Sequence, residues 1–315
     1  MNMSRGGFLG GLASLGAACA LDGCRLAGGE EVNGRIAVQL YSIKKYIGGV
    51  KDASGKVIVP GVGLERALED VARIGFKGVE FAGYYGHGAR EVRKMLDDAG
   101  LTACGSHVGN WRAIEGDKLK RVAEFNQEIG SSVLICPHGT GPDDLDWQNP
   151  KWTVSCDRHL PFIVDFFNRS TEEAKAYGCR VGIHNHEWEF LLKDGDGVSF
   201  WDNFFSKTGP DVLMEQDVGW TTCAGRDPCE EFEKYPGRSP TLHAKENGMG
   251  KGVTQFDGIL GQPGRPGARP VDWDRLIPAA EHNGTKWWVV ECECHFEDLS
   301  AVGPSCSFLR SKGLS

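Results

Sequence analysis

Residues 64–83 read LERALEDVARIGFKGVEFAG. Leu64, Ala67, Leu68, Val71 and Ala72 recur at helical spacing and form one apolar face. Gly75 follows, where a helix ends in the left-handed conformation without a Cβ penalty. A short run, Gly78-Val-Glu-Phe81, then reads as a strand. The same unit returns along the chain. Val92, Met95, Leu96 and Ala99 lead to Gly100 and a strand from Leu101 to His107; Val122, Phe125 and Ile129 lead to Gly130 and Ser132–Pro137. The segment from Leu160 to Tyr177 leads to Gly178 and Arg180–His186, and Phe200–Phe205 leads to Gly209 and Asp211–Asp217. Trp273, Leu276, Ile277 and Ala280 lead to Gly284 and Lys286–Glu293. An opening strand at Ile36–Tyr41 and another at Thr241–Lys245 bring the number to eight. Strands alternating with helices imply parallel units with right-handed crossovers. Eight of them in about 280 residues have the size of a (β/α)8 TIM barrel, an α/β fold. A doubly wound open sheet is the alternative, but no G-x-G-x-x-G loop follows the first strand.

The chain has 315 residues, with 35 Lys+Arg against 43 Asp+Glu and a net charge of −8. That acidic balance argues against a nucleic-acid partner, because phosphate binding needs clustered cations. Residues 1–28, MNMSRGGFLGGLASLGAACALDGCRLAG, have the charged start and apolar stretch of an export signal. Ser4–Leu9 is similar to a twin-arginine signal lacking its second Arg. Ala18-Cys19-Ala20 offers a cleavage site, and Leu21–Cys24 a weak lipoprotein box. The expectation is an exported, periplasmic protein whose barrel occupies residues 29–315; if the leader does not function, the protein is cytoplasmic. The apolar stretch is too short and Gly-rich for a stable membrane span. A homo-oligomer is left open. Of 11 Cys, two are in the leader and the rest show no C-x-x-C pair, so most read as small buried apolar residues. In an exported protein Cys223 and Cys229 have the option of a disulfide, and Cys292-Glu293-Cys294-His295 is too tight for a zinc loop.

The strongest functional signal lies in the second half. Four consecutive strands each carry polar residues at i and i+2: His184/His186, Glu215/Asp217, His243/Lys245 and Glu291/Glu293. In a strand such residues share one face. Eight ionisable groups would therefore enter one barrel mouth, which is costly unless they pair or coordinate a cation. Histidine with carboxylate is the ligand set of a borderline or hard divalent ion; a metal-free ionic network is the alternative. In the first half, Gln39, Tyr41, Glu80 and His107 fall at strand ends, and Trp111 and Trp188 follow the third and fifth strands. Aromatic faces beside hydrogen-bonding groups suit a sugar, although any one of them can equally be packing.

On these residues the chain resembles the xylose-isomerase-like barrel family of sugar phosphate isomerases/epimerases, which shares its fold with endonuclease IV. The segments that carry the resemblance include Val38–Ser42, Gly78–Gly83, Gly182-Ile-His-Asn-His-Glu-Trp-Glu-Phe190, Glu215-Gln-Asp-Val-Gly-Trp220, Asp227-Pro228, Tyr235-Pro-Gly-Arg238, Leu242-His-Ala-Lys245, Val271–Trp273 and Val290-Glu291. The resemblance implies one divalent ion, Mn2+ foremost with Co2+, Mg2+, Zn2+ or Fe2+ as alternatives, held by Glu, Asp, His and Glu from strands five to eight. Position by position that gives Asp217, His243 and Glu291. The first Glu is replaced by His184, so either His184 is the ligand or Glu189 curls back to serve. The implied catalytic set is Glu291, His186, Lys245 and Glu189, and Glu215, Arg238 and Glu293 join the substrate-binding set. The implied activity is proton abstraction beside the carbonyl of a small-molecule sugar or keto-sugar, as an isomerase or epimerase. The alternative is a lyase or dehydratase acting on inososes or 3-keto-glycosides by β-elimination. A non-catalytic carbohydrate-binding or accessory subunit is the reading from another class, motivated by the altered fifth strand.

Overall fold

The computed structural model describes residues 34–247, 259–262, 269–293 and 297–315. The leader expected at 1–28, most of the Gly- and Pro-rich loop after Glu246, and Cys294 and His295 lie outside the described residues.

Eight parallel strands close into a barrel. They are β1 (Arg35–Gln39), β2 (Gly78–Phe81), β3 (Thr102–His107), β4 (Val133–Cys136), β5 (Arg180–His184), β6 (Leu213–Asp217), β7 (Thr241–Ala244) and β8 (Trp287–Val290). Each pairs with its neighbours in sequence, and β1 closes on β8 through Ile36 opposite Trp288 and Val38 opposite Val290. That closure excludes the open sheet. The principal helices are α1 (Leu64–Ile74), α2 (Ala89–Ala99), α3 (Asp117–Ile129), α4 (Val154–Ala174), α5 (Phe200–Lys207), α6 (Pro228–Lys234), α7 (Trp273–His282) and α8 (Val302–Ser311). No helix among the described residues is long and apolar enough to cross a membrane.

The expected glycine stops hold at α3, where Gly130 takes φ +84 and its N–H returns to the last turn. They do not hold at Gly209. There α5 ends on Thr208 in an extended conformation, and the Gly209 N–H is taken by Asn168 Oδ1 at 2.8 Å. The opening strand is also shorter than expected. The Gln39 side chain accepts the Tyr41 N–H at 3.0 Å and turns residues 40–43 into a 3-10 helix. The long first loop carries a small antiparallel hairpin, Val50–Lys51 with Val57–Val59.

Strand alternation sorts the core into two compartments. Ile36, Val38, Val79, Phe81, Val181, Ile183, Leu242 and Trp288 point outward into the main cluster beneath the helices. Ala37, Cys104 and Val289, and separately Val133, Ile135 and Leu213, fill the barrel's interior. Above them the interior turns polar. Gly182 sits at the tightest interior position: a Cβ there would lie 2.2 Å from the Leu213 carbonyl oxygen and 2.4 Å from its Cβ. Backbone cannot give way as a side-chain tip can. Gly182→Ala is therefore expected to cost about 3 kcal/mol, the upper range for overpacking, lowering the melting temperature by roughly 6–10 °C for a domain of this size. An unchanged melting temperature in a circular-dichroism scan would refute this.

The described cysteines are not in disulfides. Cys223 Sγ faces Glu187 Oε2 at 3.5 Å and Cys229 is buried at the start of α6, so the sequence-level option of a bridge between them is not taken. All of the described cysteines but Cys223 are buried, as their apolar reading required.

Candidate metal centre

Inward-facing residues of β5 to β8 converge at the carboxyl ends of the strands. The barrel's stagger decides which ones meet. His184 is level with Glu215, but Asp217 is level with His243. The result is a buried group of four, His184, Asp217, His243 and Glu291, with one donor atom from each within 4.8 Å of all the others. His243 Nδ1 lies 3.0 Å from Glu291 Oε2 and 3.9 Å from Asp217 Oδ2, and His184 Nε2 lies 4.0 Å from the same Asp217 oxygen.

Asp217 is held at both ends. Its Oδ1 accepts the Trp220 N–H at 2.8 Å, capping the short helix Val218–Cys223, which leaves Oδ2 for the cluster. Asn185, between His184 at the end of β5 and His186, accepts the Asp217 N–H at 2.9 Å and donates to its carbonyl at 3.2 Å. Sequence reading gave Asn185 no role, since a residue between two inward positions faces away from the mouth. Lys245 brings its ammonium within 3.1 Å of Asp217 Oδ2, 2.8 Å of Glu291 Oε2 and 2.8 Å of Glu293 Oε1. The 3.1 Å approach to Asp217 is an ion pair without a directed hydrogen bond, so Oδ2 remains a buried oxygen whose lone pairs are unsatisfied. Gly219 makes room for this lysine, because a Cβ there would lie 2.9 Å from Lys245 Cγ.

One layer deeper is a second set, enclosed except for the edge of His107. Glu80 Oε2 is 2.6 Å from His243 Nε2 and accepts the Gln39 amide at 2.7 Å. Glu215 Oε2 is 2.7 Å from His107 Nε2, and Glu215 Oε1 accepts the Thr241 hydroxyl at 2.7 Å.

The electrostatics follow from burial and crowding. Burial raises Asp217 to about 6, Glu291 adding to the rise and Lys245 and His243 opposing it. Burial likewise lifts Glu80 to about 7, with Glu215 pushing the same way. Glu291 is held well below the usual carboxylate range because Lys245 and His243 outweigh its burial. Burial alone would keep His243 neutral, yet Glu215, Glu291 and Glu80 drive its pKa far up. An imidazole carrying both protons cannot ligate, so a cation entering here displaces one of them. The donors fit such an ion. Two imidazoles and two carboxylates suit Mn2+, Fe2+, Co2+ or Zn2+, and Asp217 Oδ2 is the buried atom a cation would satisfy.

Several expected site residues are placed differently. Gln39, Glu80 and Glu215 have no exposed surface and spend their hydrogen bonds within the inner set, so they are corrected from substrate contacts to supports behind the cluster. His107 hydrogen-bonds Glu215 from the edge of that set and keeps some exposed surface. Arg238 is corrected more sharply. It precedes β7, at the opposite end of the barrel, and its guanidinium is committed to the Phe205 and Thr208 carbonyls and the Thr208 hydroxyl. Trp111 is buried against Phe162 and Phe166, and Trp188 against Phe200, so both rings serve packing. Tyr41 stays 40 % exposed with the Lys44 ammonium over its ring. Glu189 does not curl back into the four-residue group; its Oε2 accepts the His186 N–H at 2.8 Å, and burial raises its pKa to about 8. His186 faces the Trp220 ring, held neutral by enclosure and by Lys245. Sequence reading missed Glu246, which is buried and accepts from Gly261 N, Val271 N and Trp273 Nε1 at 2.8–3.0 Å, tying the long loop after β7 to the barrel.

Comparison with known proteins agrees with this architecture. Residues 68–312 match the family described as xylose isomerase-like TIM barrel. An inosose dehydratase from Geobacillus thermodenitrificans is 21% identical over 250 residues, covering 73% of this chain and 82% of the relative. A structure described as a sugar phosphate isomerase/epimerase from Parabacteroides distasonis superposes with a TM-score of 0.66 at 21% identity, over 90% of this chain and 98% of that one. A structure of an L-ribulose 3-epimerase superposes with a TM-score of 0.59 at 13% identity, over 88% and 94%. At these identities the structural likeness speaks for the fold.

Proposed function

We propose that this chain, which belongs to the xylose isomerase-like TIM barrel family, is a divalent-metal-dependent enzyme that abstracts a proton next to the carbonyl of a sugar or keto-sugar. The observation that carries the reading is the buried group His184, Asp217, His243 and Glu291. Mn2+ is the ion we assign to it. When bound, the cation supplies Lewis acidity that makes the C–H beside a carbonyl acidic. Glu291, held ionised by Lys245 and His243, is the base that takes the proton. The Lys245 ammonium, clamped by Glu293, stabilises the negative charge that develops on oxygen. Glu291, once it has taken the proton, is the group that returns it to the neighbouring carbon, and neutral His186, at the rim beside Trp220, is placed to hydrogen-bond a substrate hydroxyl.

The same first step serves a lyase. Its likeness to inosose dehydratases favours loss of a β-hydroxyl as a second reading. Glu189, protonated at neutral pH, is then available as the acid that helps the hydroxyl leave. The leader at residues 1–28 supports export to the periplasm, where a neutral keto-sugar is a better-matched substrate than a sugar phosphate.

The test is proton exchange in D2O, followed by NMR over a panel of keto-sugars and inososes with Mn2+ present. Exchange of the α-proton that stops on EDTA treatment is expected. Exchange with recovery of an epimer supports the isomerase; an unsaturated product supports the lyase. No exchange with any member of the panel would leave a binding or accessory subunit and overturn the proposal.

A further inference from the structure

Three imidazole nitrogens converge on one oxygen. Glu215 Oε2 lies 2.7 Å from His107 Nε2, 3.3 Å from His243 Nε2 and 3.7 Å from His184 Nδ1. The two histidines of the outer group thus each turn one nitrogen up and the other down. His243 presents Nδ1 to Glu291 and Asp217 and Nε2 to Glu80 and Glu215; His184 presents Nε2 to Asp217 and Nδ1 to Glu215. A histidine that binds a cation through one nitrogen keeps its proton on the other, and that N–H needs an acceptor to fix the tautomer and the ring plane.

We propose that Glu215 is the positioning residue for His184, whose buried Nδ1 has no hydrogen bond of its own and faces Glu215 Oε2 at 3.7 Å, while Glu80, 2.6 Å from His243 Nε2, is the acceptor at His243 with Glu215 behind it at 3.3 Å. Thr241 sets the orientation of Glu215 by donating to Oε1 at 2.7 Å. This rests on the proposed function only in requiring one cation at the outer group. It also accounts for an otherwise costly arrangement, two neighbouring carboxylates with no exposed surface. The competing assignment is a second cation among His107, His184, Glu215 and His243, whose donor atoms are also mutually within 4.8 Å. It fits less well. His107 and His243 already direct their inner nitrogens at carboxylate oxygens 2.6–2.7 Å away, and a second ion would strip from His184 and His243 the protons that the outer ion leaves on them.

The full chain is titrated with Mn2+ alone by calorimetry, and its Co2+ form is read by visible absorption. One Mn2+ per chain is expected. Glu215→Gln keeps the side-chain shape and the acceptor for Thr241, so it is expected to keep the metal-free melting temperature within a few degrees while weakening Mn2+ binding by about 10–100-fold, the cost typical of a lost supporting carboxylate, and shifting the Co2+ bands. Thr241→Val keeps the charge and removes only its brace; a smaller loss in the same direction is expected. Should Glu215→Gln not fold, Thr241→Val alone decides. Unchanged affinity and an unchanged Co2+ spectrum overturn the positioning role and leave the proposed function standing. Two Mn2+ per wild-type chain, one of them lost in Glu215→Gln, overturn it in favour of an inner cation. A wild-type chain that binds no divalent ion overturns both.

Discussion

Asp217→Ala is expected to abolish Mn2+ binding and to reduce turnover of the exchanging substrate by about 1,000-fold or more, because the cation's stabilisation of developing charge amounts to several kcal/mol and each 1.36 kcal/mol is a factor of ten. Asp217 is chosen because its two oxygens have separate duties. Oδ1 caps the helix Val218–Cys223 through Trp220 N, and Oδ2 faces His184, His243 and Lys245. Alanine removes both, so the protein should also lose about 1 kcal/mol of stability with the cap. Asp217→Asn separates the two effects. Its amide oxygen can still accept the Trp220 N–H, while the charge is gone. It should therefore fold like the wild type and still fail to hold Mn2+. His243→Ala, which removes a ligand from a different strand, should fail in the same way. Metal content after dialysis and calorimetric titration read all three variants. An Asp217→Asn protein with wild-type Mn2+ affinity and rate would show that the four-residue group is not the metal centre.

Much of this centre is legible in the sequence, and what is not has a geometric cause. The i, i+2 pairs on four successive strands are visible because strand side chains alternate, and all eight residues do lie at the carboxyl end of the barrel. Their depth is not visible. A closed barrel tilts and staggers its strands, so residues at equal positions in their pairs do not end up level. His184 is the first of its pair and Asp217 the second of its own, yet both belong to the outer group, while Glu215 drops into the inner one. The resemblance to a family implied Asp217, His243 and Glu291, and the structure brings His184, not Glu189, into the same four-residue group. The same resemblance misled at Arg238, since a motif shared along the sequence does not say at which end of a strand it falls; three residues before β7 is the end remote from the site. Gln39 and Glu80 read as contacts for a sugar because polar strand ends usually face a mouth. Here a second polar layer stands above them and takes that place.

Lys245→Met carries the other large effect, and it concerns the metal-free protein. The ammonium has no exposed surface and sits between three carboxylates, those of Asp217, Glu291 and Glu293. Burial alone would lower its pKa, but these neighbours raise it well above the ordinary lysine value and so favour the ammonium. Methionine keeps most of the volume beside Gly219 and the Trp220 ring and removes the charge. Asp217 and Glu291 are then buried with only the His243 imidazolium opposed to them, while Glu293 keeps some exposure, and breaking a buried pair from one side costs about 3–5 kcal/mol. A fall of that size in the stability of the metal-free protein is expected. Two of the three carboxylates also belong to the metal group, so the ammonium and a divalent cation neutralise the same charge. Mn2+ should therefore restore most of the lost stability, because ligand binding to the folded state stabilises it in proportion to affinity and concentration, and should raise the melting temperature of Lys245→Met by more than it raises that of the wild type. Thermal scans of both proteins with EDTA and with saturating Mn2+ measure the difference directly. Equal Mn2+-induced shifts in the two proteins would mean that lysine and metal do not share these carboxylates, and the Lys245 cage would then be a structural ion network standing beside the metal centre.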